Sequence, residues 1–210
     1  MNRFPLVIFA IGCCLVSTIS LAQTAVDLGL GVRWASCNLG AEKPHEYGGL
    51  YGWADPTGEC VDANVYDDEW NWMSDSLYGG YMPTKDICGT LQDIVTAKWG
   101  KPWRLPTHEE MEELINRCKK EKAEINGIKG IRFTGPSGNS IFLPAGGRRE
   151  ATDILHQGKT GNYWTDSIGK RYKQHRDSRV WYLFFNTSGY VECSDYGLRY
   201  FGFSIRPVRR

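Results

Sequence analysis

A chain of 210 residues, 13% of them aromatic and with a formal net charge of +1, is long enough to bury one sizeable core. Its 25 Lys and Arg against 24 Asp and Glu leave no basic excess for a phosphate backbone, which argues against a nucleic-acid partner. No stretch reaches the roughly 20 apolar residues that a comfortable membrane-spanning helix needs.

Arg3 is the only charged side chain before Asp27, and it precedes an apolar run over 4–16. Small and polar residues follow, ending in Ser20, Leu21 and Ala22 ahead of Gln23. A charged start, a short apolar stretch and a small-x-small step predict a signal peptide over 1–22 and export of a single domain, 23–210. The protein is then expected in the periplasm, on the cell surface or outside the cell. Ala10, Ile11, Gly12 and Cys13 make a poor lipobox, so a lipid anchor on Cys13 is the alternative to plain secretion.

Charge is unevenly spread. Residues 23–93 carry 12 acidic and 3 basic side chains, and residues 94–210 carry 12 acidic and 21 basic. Either the two halves lie against each other, or the surface is polarised and steers a charged ligand. Export permits disulfides among Cys37, Cys60, Cys88, Cys118 and Cys193. An odd number leaves at least one thiol without a partner in the chain. The five read as buried small side chains with room for one bridge.

In chain order, 32–37 reads as a strand and 41–83 as a long irregular region rich in Gly, Asp, Trp and Tyr. A helix is expected over 84–98, using Ile87, Leu91, Ile94 and Val95 and ending at Gly100, with Gly89 inside it. Thr107 and Glu110 form a capping box behind Pro106. Met111, Leu114, Ile115 and Cys118 follow at the spacing of one helical face. Glu109, Glu110 and Glu113 suit the positive end of that helix, and Arg117, Lys119 and Lys120 its negative end. After Asn126 and Gly127 the pattern becomes short strands: 130–134 and 140–143 around the turn GPSGN, then 162–165, 179–186 and 190–193, and a closing segment 202–208. Two helices followed by antiparallel strands predict an α+β domain with long loops.

Six phrases occur in register: VRWASCNLG at 32–40, YGGLYGWA at 47–54, WGKPWRLPT at 99–107, GNSIFLPAGGR at 138–148, GNYWTD at 161–166 and GFSIRPV at 202–208. Together they resemble the fibrobacter-type major paralogous domain (FISUMP) family, exported proteins common in gut bacteria of the Bacteroidota type. The resemblance covers nearly all of the mature chain. It implies a C-type-lectin-like fold whose first and last strands pair, bringing Trp34 near Ile205. It carries over no known reaction. Where the family shows an acidic-then-alanine run before the Trp-Gly step, this chain has Asp93, Ile94, Val95, Thr96 and Ala97.

No catalytic residue, cofactor or metal is expected. The cysteine pair of the sulfatase-modifying relatives is represented by Cys193 alone, and His45, His108, His156 and His175 are dispersed. His108 with Glu109 and Glu110 is explained by the capping box, and no Ser sits in a G-x-S-x-G elbow. The Glu-Pro-Asn, Gln-Pro-Asp and Trp-Asn-Asp signatures of calcium-dependent lectins do not occur. Asp62, Asp67, Asp68 and Glu69 read as a solvated acidic loop or as oxygen ligands for a hard cation.

Binding of a glycan or another extracellular polymer or protein surface without calcium is the expectation that remains, with a structural or adhesive component of a surface assembly as the alternative and an enzyme of unknown reaction as the remote one. Trp70, Trp72, Tyr78 and Tyr81 could stack on sugar rings, whereas Trp34, Trp53, Trp99, Trp103 and Trp164 are assigned to the core. The stretch 148–179 is the preferred surface. Its Arg148, Arg149, His156, Lys170, Arg171, Tyr172, Lys173, His175 and Arg176 would suit an anionic polymer. Asp75-Ser76-Leu77 and Asp166-Ser167-Ile168 match a short acceptor pattern for O-glycosylation.

Overall fold

The two ends of the domain meet in one small sheet. Strands β1 (Ala25–Val26) and β2 (Arg33–Ala35) pair antiparallel, and β2 pairs on its other edge with β11 (Val208–Arg209). The computed structural model describes residues 23–58, 86–169, 179–199 and 201–210. Pairing of first and last strands was expected, and its register gives Trp34 a partner other than Ile205. Trp34 stands opposite Val208, while Ile205 accepts from Leu39 N at 2.9 Å. In an antiparallel pair each step forward on one strand is a step back on the other. Ile205 therefore falls beyond the end of β2, and the two side chains enter different cores.

The first helix is shorter than expected. Helix α1 spans only Ile94–Trp99 and ends at Gly100. Gly89 lies in the left-handed region at φ +67, and Leu91 is 87% exposed, so no apolar face runs through 87–95. Asp93 starts the helix instead. Its Oδ1 accepts from Val95 N and Thr96 N, and its Oδ2 from Gly89 N and Leu105 N. A buried carboxylate with four backbone donors is an N-cap and a loop clamp at once.

Helix α2 (His108–Arg117) forms as the capping box dictates. Thr107 Oγ1 accepts from Glu110 N, and Glu110 Oε2 accepts from Thr107 N. Met111 and Leu114 are fully buried, and Cys118 closes the helix in an extended conformation. Lys119 and Lys120, assigned above to the end of this helix, instead begin strand β3 (Lys119–Ile125). That strand turns through Asn126 and Gly127, both at positive φ as a tight hairpin requires, into β4 (Ile128–Thr134). Strand β5 (Ser140–Pro144) completes the sheet in the order β3-β4-β5.

Two further units follow. The hairpin β6 (Arg148–Glu150) with β7 (Asp153–Leu155) occupies ground to which no strand was assigned above. Strands β8 (Thr160–Ile168), β9 (Arg179–Asn186) and β10 (Val191–Leu198) form an antiparallel sheet in the order β10-β9-β8. The result is α+β: small antiparallel sheets with two helices.

Strand β8 is buried from Gly161 to Ser167 because it separates two cores. Successive strand residues point to opposite faces. Tyr163 accordingly joins Trp34, Met111, Leu114, Phe133 and Phe185 in the first core. Its neighbour Trp164 joins Trp53, Trp103, Val180, Phe203 and Ile205 in the second, stacking on Phe203 at 4.1 Å. The buried indoles of Trp53 and Trp164 donate to Thr165 O and Tyr51 O, so each polar edge is satisfied. Trp99 is half-buried, edge-on to Trp103 at 5.4 Å. Cys37, Cys88, Cys118 and Cys193 are free thiols, and Cys60 lies outside the described residues.

Candidate functional site

Strand β9 has no polar face, and that decides what β9 and β10 offer to solvent. Leu183 and Phe185 point into the first core, where Val191 and Cys193 of β10 also pack. Tyr182 and Phe184 therefore point the other way, opposite Ser194 and Glu192 of β10. Tyr190, 53% exposed, adds its ring at 6.2 Å from Phe184, and its hydroxyl donates to the Glu192 carboxylate. Tyr182 leans on Phe203 at 4.9 Å. Burial raises the Tyr182 phenol, with Glu192 also raising it and Arg148 lowering it.

The β6–β7 hairpin supplies the cation. Arg148 lies over the Phe201 ring at 5.1 Å and donates from Nε to Glu150 Oε1 at 2.6 Å. Tyr182 and Phe201 pack half-buried against the second core, and at its margin lie the half-buried ring of Phe184, the exposed ring of Tyr190 and the charges of Arg148, Glu150 and Glu192. At the far end of β10, Arg179 covers the ring of Tyr196 at 4.6 Å. Aromatic faces flanked by fixed donors and acceptors can stack on the C–H face of a sugar and bond its hydroxyls, and no metal is needed for either contact.

The expected binding residues are placed as follows. Arg148 lies on this surface. Arg149 does not: it is 9% exposed, and its guanidinium donates inward to Leu50 O and Ala151 O. Its backbone pairs with Gly202, where a Cβ would come within 2.8 Å of Arg149 Nε. In a hairpin, neighbours alternate sides, so adjacent arginines cannot share one surface. His156 is exposed in a tight turn at φ +59, one residue past Leu155, the cross-strand partner of Arg148. Trp70, Trp72, Tyr172, His175 and Arg176 lie outside the described residues, as do Tyr78, Tyr81, Lys170, Arg171, Lys173 and the acidic run at 62–69. Sequence reasoning missed Tyr182, Phe184, Tyr190, Glu192 and Phe201. The signal was the density of large side chains in 179–186, which leaves aromatics on both faces of any strand formed there.

A second cluster surrounds Asp166 of β8, which is 2% exposed. Ser167 Oγ donates to its Oδ1 at 2.6 Å and accepts from His108 N. Burial pushes the carboxyl up to about 7; Asp86 and Glu110 add to the shift, and Ser167 and Arg104 oppose it. Arg104 is committed to Glu110 through two bonds of 2.7 and 2.6 Å. Burial also raises the Cys88 thiol to about 11, so it stays protonated at neutral pH. Ser167 is itself buried. The folded chain therefore does not present Asp166-Ser167-Ile168 as a glycosylation acceptor, and Asp75-Ser76-Leu77 lies outside the described residues.

No family model matches the chain, and no curated protein or solved structure matches it significantly. No helix among the described residues is long and apolar enough to cross a membrane.

Proposed function

We propose that this chain is an exported binding module that recognises a glycan, or another extracellular polymer, without calcium. The polymer stacks on the outer face of β9 and β10. The observation that carries this reading is the pair of Phe184 and Tyr190 rings, half-buried and exposed beyond the point where Tyr182 packs on the second core, beside Glu192. On the resemblance of the six sequence phrases, the fold is taken as C-type-lectin-like and the family as FISUMP. The pairing of β1, β2 and β11, which joins the chain ends, supports that assignment.

The test is retention of the purified protein on a panel of neutral and acidic polysaccharides, with and without calcium. Reproducible, calcium-independent binding that falls about thirtyfold in Phe184→Ala/Tyr190→Ala is expected, since each of the two lost stacking contacts is worth roughly 1 kcal/mol. Binding that survives this double substitution in a folded protein excludes the face. Silence across the panel would favour the structural or adhesive reading.

A further inference from the structure

A groove of about 290 Å³ opens where the β3–β4 hairpin meets the turn between β9 and β10. It is lined by Lys122, Ala123, Glu124, Lys129, Gly130 and Thr187. The strand register explains why charged side chains face it. Lys122 pairs with Ile131 and Glu124 with Lys129, so these four share one face of the hairpin. Ile131 on that face is 1% exposed, in the first core. The hairpin runs on past the core, and beyond Ile131 the same inner face carries Lys129 and Glu124.

The opposite wall is fixed as well. A Cβ at Gly189 would sit 3.7 Å from Cγ and Cδ of Lys122, so the lysine stem lies against the turn. Thr187 N donates to Lys159 O at 2.9 Å, which holds the threonine in place. Lys122 and Lys129 take part in no ion pair within the described residues, although Glu124 stands directly across from Lys129. Thr187 lies midway between Phe184 and Tyr190 in sequence, so the groove and the aromatic face flank the same turn.

We propose that this groove is an anionic subsite and that the recognised polymer is an acidic glycan. Lys122 and Lys129 take one carboxylate or sulfate group, and the Thr187 hydroxyl supplies a neutral donor. Lysine suits the task because a compact ammonium accepts either oxyanion without demanding a fixed planar geometry. Glu124 tempers the site by lowering its net positive charge. The proposal rests on the reading of the β9–β10 face as a sugar-stacking surface, since the groove holds the charge and the aromatics hold the ring.

The probes are dextran, dextran sulfate and polygalacturonate, each tested by affinity electrophoresis at low salt against the intact purified protein. Retention by at least one acidic polymer about tenfold above dextran is expected. Dextran sulfate alone would assign the sulfate ester, polygalacturonate alone the carboxylate, and both would mark a site that takes either. Lys122→Gln/Lys129→Gln should abolish the excess over dextran, and Glu124→Gln should increase it; circular dichroism confirms that each variant is folded. Acidic retention that the lysine variant keeps, or no excess on either acidic polymer, overturns the groove. Acidic retention lost in the lysine variant but untouched in Phe184→Ala/Tyr190→Ala keeps the groove and removes the stacking face.

Discussion

Arg206 donates from Nε to Asn38 Oδ1 at 2.9 Å across 168 residues of sequence, and both side chains are fully buried. The guanidinium also reaches Ala35 O, Ser36 O and Phe142 O, so carbonyl dipoles surround the cation. Burial lowers it to about 10, which leaves it charged at neutral pH. Asn38 in turn donates to Tyr47 O and Tyr163 Oη, and Tyr163 donates to Pro144 O. This network joins the chain ends to the β3–β4–β5 sheet and to β8.

Arg206→Lys is therefore expected to be severe despite keeping the charge. An ammonium cannot span four acceptors set around a planar fork. Loss of two or more buried bonds should cost about 3 kcal/mol, and Asn38→Ala about 2 kcal/mol. Because the two residues share partners, the double variant should cost less than the sum. Urea denaturation of the four proteins checks this; strict additivity would show that the network is not a unit.

Asp93→Ala should cost about 2–3 kcal/mol, at the upper end for an N-cap, because the same carboxylate also holds Gly89 N and Leu105 N. Amide exchange gives the local signature. Val95 and Thr96 should exchange faster in the variant, and an unchanged rate at both would mean that α1 does not depend on this cap.

Arg148 and Arg149 should separate cleanly. Arg149→Ala removes inward bonds to Leu50 and Ala151 and should destabilise the fold by about 2 kcal/mol. Arg148→Ala breaks a partly exposed pair with Glu150 and should shift stability by less than about 1 kcal/mol while weakening polymer retention. Thermal melts together with the retention assay read both effects. Equal melting losses would mean that Arg148 is as structural as its neighbour.

How much of this was legible follows the range of the interactions. Helix α2 was readable because its box and apolar face lie within the twelve residues from Thr107 to Cys118. Strand β3 was not: its Lys and Glu side chains are those of an exposed edge, where charge discourages further pairing, and the same residues suit a helix end. The Asp93 cap on Val95 N and Thr96 N is local, but the bond that Leu105 N donates to the same carboxylate, and with it the burial of Asp93, is not revealed by local patterns. No strand was assigned across Arg148 and Arg149, so the strand alternation that turns one inward was not applied. On β9 the same rule separates Phe184 from Phe185, but only the β8 and β10 neighbours decide which of them meets the core.

The buried Asp166 makes stability depend on pH in a direction opposite to that of a salt-bridged carboxylate. Its folded value, about 7, lies above the ordinary 3.8. Below about pH 4 the group is protonated in both states and costs nothing. Between about 4 and 7 the folded state holds the proton more tightly, so stability falls as pH rises, and above 7 the full cost of a buried charge is expressed. Asp166→Asn keeps an acceptor for Ser167 and removes the charge. It should leave stability unchanged at pH 4 and raise it by about 2 kcal/mol or more at pH 8. Urea midpoints of wild type and variant at pH 4, 6 and 8 give the difference directly. A gap that widens with pH locates the titration at Asp166, whereas a constant gap would mean that burial does not raise its carboxyl.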